Sequence, residues 1–421
     1  MRMKIADLAE IEKIKAHEKE SKLLSQALER KLHVLLIYRK MIPSIRLCGH
    51  CQMEYMARQG TVEYRPIQEM KLKSSDLDWA DVALLGRLDS WYECQLSKKL
   101  HESGRYLIYI IDDDLLNVPS EISSASYYNQ PNVQRNIRTM IELSDAILSP
   151  SPILLNKYAV GGKHAVQIEE PAIDLVPYRP HNLDGPVKIG FAGSIDRTGD
   201  LETILEDPLK AIKQKYTDKV QFEFFGAIPA FANELDAKCI PYCNSYDEYR
   251  SILNKLEWDI GLAPMLDTPF HSCKHYNKFV EYAAAGVIGL YSNVMPYSRL
   301  KPLGLDLALL VDPEPDSWFE ILCSLIDNQA DLERRRRLVI QYAAKKMSIP
   351  VAAETLLKQL LKLPIGYSTK KRVFCMISTA KMLAVLDRVC HVIYSRVTKW
   401  LIKKHHKSYY AGSENRLDDV T

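Results

Sequence analysis

The sequence contains no uninterrupted apolar run of the ~18 residues that a membrane-crossing helix requires, although 47% of its 421 residues are hydrophobic. Neither charge is in excess: 56 Lys and Arg stand against 53 Asp and Glu, a formal net charge of +3. Such a chain lacks the broad basic field of a nucleic-acid binder, so no nucleic-acid partner is expected. No repeat of ~20–50 residues recurs, which excludes a solenoid. Behind the mixed-charge start, Met1 to Asp7, no apolar signal core follows. The expectation is a protein kept in the cytoplasm.

Cysteine is sparse and odd in number, nine in all, which fits reduced thiols and not a full disulfide framework. Cys48-Gly49-His50-Cys51 has the spacing of a redox dithiol. Yet it falls inside a helix expected to begin near Ser44 as N-cap, not at the helix start where a thiol gains reactivity. No second Cys/His pair sits at zinc spacing. These cysteines are expected to be small residues on a helix face, and no metal is expected.

What is present is alternation. The length suggests two domains plus extensions. Residues 1–32 carry a helical period, with Ile5, Leu8, Ile11 and later Leu24 and Leu28 among Glu and Lys. From residue 33 to 180, short apolar runs read as buried strands: Val34 to Tyr38, Val62 to Tyr64, Val82 to Gly86, Tyr106 to Ile111 and Ala146 to Leu148. Helical stretches separate them, the signature of a parallel, doubly wound sheet. After a Pro-rich connection the pattern restarts over residues 186–345, with runs at Val187 to Gly193, Val220 to Gly226, Ile240 to Tyr242, Asp259 to Pro264, Val287 to Tyr291 and Leu309 to Val311. Residues 346–421 read as helices. Their segment 370–404 sets a broad apolar face beside a basic stripe, which suits a helix lying on a membrane surface or docked on protein.

In the second half the motif order is similar to the donor domain of family 4-type GT-B glycosyltransferases. Gly190-Phe191-Ala192-Gly193-Ser194 resembles that family's Gly-rich turn beside the donor phosphates. Asp259-Ile260-Gly261-Leu262-Ala263-Pro264 resembles the strand that ends at the cleft, and Lys278 to Val287 resembles the segment with the second motif glutamate, here Glu281. In the first half, Ile110 to Leu116 with Asp112-Asp113-Asp114 resembles an acidic loop of some bacterial members. The resemblance implies an α/β GT-B fold, two Rossmann-like domains facing a cleft. It further implies transfer from a nucleotide-sugar donor to a glycan or lipid-linked acceptor with retention, and no cofactor or metal. It departs at two places: the first motif glutamate is replaced by Cys273, and the basic pair after the turn is reduced to Arg197.

The chemistry of such a donor asks for particular partners. Diphosphate oxygens want backbone N–H groups at a helix start and a basic side chain; Gly193, Ser194 and Arg197 are the candidates, with Gly193 equally a tight turn needing positive φ. Lys274, Lys278 and Glu281 fall at i, i+4 and i+7, one face of a continuous helix, and that spacing alone equally suits a salt-bridged solvent face. Glu281 would accept from ribose hydroxyls, while Lys278 and Lys274 would neutralise the leaving diphosphate. Tyr242 is a further donor-side candidate. Asp113 follows a buried strand into the cleft, as a ligand contact or as a helix cap; Arg87 likewise borders the cleft. A thiol at Cys273 cannot accept as a carboxylate does, and Asp267 or His271 is the nearest residue to supply that contact. The rival functions are a non-catalytic module binding a nucleotide sugar or glycan, and a nucleotide-sugar epimerase on the same fold.

Overall fold

The computed structural model describes residues 31–180 and 185–365. The helix expected over 1–32 and the basic segment 370–404 lie outside the described residues, apart from Lys31 and Leu32, and Leu32 opens a strand. Strands β1 (Leu32–Tyr38), β2 (Val62–Gln68), β3 (Val82–Gly86), β4 (Tyr106–Ile110), β5 (Ala146–Ser149) and β6 (His164–Gln167) form a sheet in the order β2-β1-β3-β4-β5-β6. All its pairings are parallel. The inner runs are apolar because both faces are covered, whereas β2 and β6 at the edges are partly exposed. Leu35, Ile37, Ala83, Leu85, Leu107 and Tyr109 pack on one face; Val34, Leu36, Val82, Leu84, Ile108 and Ile110 pack on the other. That is the two-residue period of a strand.

The second sheet comprises β7 (Val187–Gly193), β8 (Val220–Gly226), β9 (Lys238–Ile240), β10 (Ile260–Ala263), β11 (Ile288–Ser292) and β12 (Leu309–Val311), in the order β12-β11-β10-β7-β8-β9. It too is parallel. Two doubly wound, Rossmann-like lobes of α/β class are thus present, as expected. In each sheet the order reverses once, between β1 and β3 and between β7 and β10, and ligands of such sheets bind beyond the carboxyl ends at that point.

The chain leaves the first lobe after Glu170 and later returns. Ala172 N–H donates to Met347 O at 2.7 Å, and the helix Ile349–Leu360 then lays Ala353, Leu356 and Leu360 into the first lobe's core. No helix among the described residues is long and apolar enough to cross a membrane.

Three local expectations change. Pro43 holds the first helical position after Ile42, so Ser44 is no N-cap; its hydroxyl accepts from Arg87 Nη1 at 3.2 Å. Helical geometry then breaks at Cys48 and Gly49. Both Cys48 and Cys51 are buried free thiols, and burial pushes both up, opposite to a reactive dithiol. Strand β9 starts at Lys238 and stops at Ile240, because Pro241 has no N–H for the ladder. Strand β6 has no counterpart in the sequence reading, since only Val166 of its four residues is fully buried.

The second lobe has a tight approach at Gly190 in β7, where a Cβ would lie 2.1 Å from the ring of Trp258. Trp258 has nowhere to move: it is fully buried and its Nε1 donates to Glu223 at 2.9 Å. Gly190→Ala is expected to cost about 1–3 kcal/mol or more by overpacking, read as a lower urea midpoint for the second lobe. An unchanged midpoint would show that the ring can yield.

Candidate functional site

The loop leaving β7 holds Gly193 and Ser194, turns through Ile195–Arg197, and enters the helix Thr198–Tyr216. The loop leaving β8 crosses it closely: Ala227 N–H donates to Gly193 O at 2.9 Å. Gly226 makes that crossing, with φ of 89° and a Cβ position 2.2 Å from the Gly193 carbonyl oxygen. Gly193 itself does not have positive φ. Its need for glycine is the Phe191 ring, which a Cβ would meet at 2.8 Å.

Around this crossing lies a pocket of ≈ 360 Å³. It brings together Gly193, Ser194, Tyr242, Lys278 and Glu281, and the first lobe closes it with Lys40 to Pro43. Glu281 and Lys278 share one face of the helix Asn277–Ala285. Glu281 Oε2 accepts from Lys278 Nζ at 2.6 Å and from the Tyr249 hydroxyl at 2.8 Å. Burial works to raise the Glu281 pKa, but Lys278 and Arg250 outweigh it, so the carboxyl stays below its usual range and ionised. Its Oε1 takes no hydrogen bond from the described residues. An open, ionised acceptor at the rim of a pocket suits a ligand diol.

Aromatic rings line the same pocket. Tyr249 stacks between Phe225 (5.2 Å between centroids) and Tyr246 (5.9 Å). Tyr242 stands 60% exposed at the edge, a free face for a flat heterocycle. Sequence reasoning missed Tyr246 and Tyr249; their i, i+3 spacing behind the Ser245 N-cap was the available signal.

Other candidates fall elsewhere. Lys274 is not on the helix with Lys278, because that helix starts only at Asn277, after Tyr276. His275 and Tyr276 are instead drawn to Glu169 of the connection, with His275 Nε2 3.4 Å from its carboxylate and the Tyr276 hydroxyl donating to it at 2.5 Å. Lys274 reaches across the cleft, and its Nζ donates to Asp113 Oδ1 at 2.8 Å. Arg87 Nη1 lies 3.5 Å from the same carboxylate. Burial raises the Asp113 pKa, yet Lys274 and Arg87 override it and hold the group down to about 2.

Arg197 does not line the pocket either. It donates from Nη2 to Pro264 O at 2.5 Å and pairs with Asp200 at 2.9 Å, tying the β7 loop to the end of β10. Cys273 is buried, its Sγ 3.3 Å from Pro269 O and 4.0 Å from the Asp114 carboxylate. A carboxylate at that position would face Asp114, itself paired with Lys157 at 2.6 Å. Among the described residues no group of three or more His, Cys, Asp or Glu is placed to hold a metal ion.

No family model matches the chain, and no curated protein matches it by sequence. Solved structures do match in shape. HepE of Anabaena in complex with UDP-glucose superposes with a TM-score of 0.54 over 79% of this chain and 100% of that one, at 11% identity. A glycosyltransferase of Rickettsia africae gives 0.52 over 79% and 98%, at 11% identity. The sucrose-phosphate synthase of Thermosynechococcus elongatus gives 0.52 over 78% and 99%, at 12% identity. The fold is GT-B. At these identities the likeness speaks for the fold alone.

The Lys274–Asp113 pair joins the lobes, so its titration is a test of closure. A carboxyl held below its ordinary 3.8 stabilises the joined state above that value and loses the contribution as pH falls through about 2. The radius of gyration by small-angle scattering is therefore expected to stay constant from pH 8 to pH 4, and to grow in Lys274→Ala at pH 7. An unchanged radius in the variant would remove the pair from any role in closure.

Proposed function

We propose that this protein is a nucleotide-sugar-dependent glycosyltransferase that acts on a glycan or lipid-linked acceptor. Retention of anomeric configuration follows from the family 4 resemblance. The observation that carries the reading is the ionised Glu281 with its open Oε1, set beside Lys278 in a pocket beyond the carboxyl ends of β7 and β8. HepE, similar in fold, was crystallised with UDP-glucose. In this reading a base lies on Tyr242, the ribose diol donates to Glu281, and the diphosphate lies along Gly193 and Ser194 with Lys278 as counter-charge.

The reaction breaks the bond between the anomeric carbon and the β-phosphate oxygen, whose electron pair stays on the diphosphate. A bond from the acceptor hydroxyl oxygen to that carbon forms, and the hydroxyl proton passes to the departing diphosphate. Lys278 stabilises the charge that develops there. Lys274 and Asp113 meet across the cleft between donor and acceptor sides, and act by holding the lobes together around the reacting atoms. The proposed setting is cytoplasmic, with residues 370–404 as a basic membrane-surface contact. A second reading, binding without turnover, is favoured by one observation: Cys273 stands at the place of the first motif glutamate.

Incubation with a panel of nucleotide sugars and glycans should release nucleoside diphosphate only when an acceptor is present. Binding without release under every combination would support the second reading and sink the first. Glu281→Ala should weaken UDP binding by a factor of about 10 to 100, the weight of hydrogen bonds to a charged group. Unchanged affinity by calorimetry would move the ribose elsewhere.

A further inference from the structure

A second chamber of ≈ 520 Å³ opens between the lobes, on the other side of the Lys274–Asp113 bridge. Asp114, the residue after Asp113, and His271, three before Lys274, line this chamber, whereas Ser194 and Lys278 line the first. Its walls come from both lobes. Ile122 packs with buried Phe270 into an apolar wall that spans the interface.

The charged lining is mostly anionic, with Asn117 and Thr268 as neutral polar groups beside it. Four carboxylates, those of Asp114, Glu121, Asp196 and Asp200, face one lysine, Lys157. That lysine is already spent on Asp114 at 2.6 Å, and Asp200 is paired with Arg197 at 2.9 Å. Asp196 accepts from Ser123 N–H and Oγ at 2.9 and 3.0 Å, which leaves lone pairs to spare on a carboxylate. Glu121 is exposed and, among the described residues, accepts from Ser120.

His271 is a separate observation. The residue is only 9% exposed. Its Nδ1 lies 3.2 Å from Leu266 O, a bond that requires the proton on Nδ1. Nε2 is then a bare lone pair, and it has no hydrogen-bond partner among the described residues. Burial lowers the affinity of the ring for a second proton, with Arg197 and Lys274 adding to that and Asp200 opposing. A largely buried imidazole whose free acceptor opens to the chamber can take a hydrogen bond from a ligand hydroxyl there.

We propose that this chamber is a binding site for an uncharged, hydroxyl-rich carbohydrate, with His271 Nε2 accepting from one hydroxyl and the Ile122–Phe270 wall receiving the C–H face of the ring. A phosphate or uronate there would meet Asp196 and Glu121, which have no cationic partner among the described residues, and only an already engaged lysine. The inference rests on the glycosyl-transfer reading and narrows its acceptor from any glycan or lipid-linked species to a neutral sugar at the subsite nearest the bridge.

The test is a glycan array carrying neutral, phosphorylated, uronate and amino glycans, probed with the full chain with and without UDP. Neutral glycans should be retained and charged ones not. His271→Phe should cut retention at least about tenfold while UDP affinity, measured by calorimetry, is unchanged. Glu121→Lys, at an exposed position that leaves the core untouched, should shift retention toward phosphorylated glycans, a gain that misfolding cannot imitate. Preference for charged glycans, no retention of any glycan, or full retention by His271→Phe would each overturn the inference. Loss of UDP binding in the wild-type chain would instead overturn the donor reading, and the retention pattern would still judge this chamber.

Discussion

The geometry of the cleft depends on two backbone segments passing closer than any side chain would allow. Gly226 brings the β8 loop against Gly193, and the bond from Ala227 N–H fixes the approach at 2.9 Å. Arg197 pins the same β7 loop from the other side, through Pro264 O and Asp200. The loop at the switch point is thereby held between its neighbours on both sides. Only then can Ser194, Tyr249 and Glu281 keep a common pocket without a ligand to organise them. A residue outside the pocket, Arg197, does as much for its shape as those inside.

That division of labour explains what could be read from the sequence. Eleven of the strands were legible from Val34 to Val311, the inner ones as the continuous apolar runs of parallel strands buried on both faces and the edge strands β2 and β9 only in part. His164–Gln167 was not, because an edge strand with one fully buried residue has no apolar run to show. Glu281 and Lys278 were legible because their relation is local, within one helix. Lys274 was misplaced for the opposite reason. Its spacing from Lys278 implies one helix face, but His275 and Tyr276 are claimed by Glu169 more than a hundred residues away, and the helix begins after them. Arg197 was misplaced in a like way, its guanidinium being held by Pro264 O, which no local pattern announces.

The seam between the lobes has a chemistry of its own. Arg46 pairs with Asp247, Ser123 with Asp196 and Lys274 with Asp113, while Arg299 Nη1 donates to Pro150 O at 3.2 Å. Behind them a buried cluster joins Cys48, the connecting Glu170 and His275. Burial raises the Glu170 carboxyl to about 7, against the pull of His275 and the Cys48 bond. Polar contacts of this kind exchange readily for water, and partly exposed pairs are worth only about 0.2–1 kcal/mol each. Apolar packing joins the lobes as well: Leu47 and Cys51 with Ile173 and Tyr246, Val118, Ile122 and Ala125 with Phe270, and Cys273 in the first lobe's core.

A seam rich in polar contacts has a functional consequence when set beside the pocket walls. The first pocket is lined by Lys40 to Pro43 from one lobe and by Gly193, Lys278 and Glu281 from the other, so an occupant touches both only when they are together. Its differential affinity for the joined state then sets how far the equilibrium moves. The return of the chain through Ile349–Leu360 keeps the second lobe tethered to the first throughout. Separation is therefore limited to motion about the two crossings, at Glu170 to Ala172 and at Met347, and burial raises the carboxyl of Glu170 at the first of them to about 7.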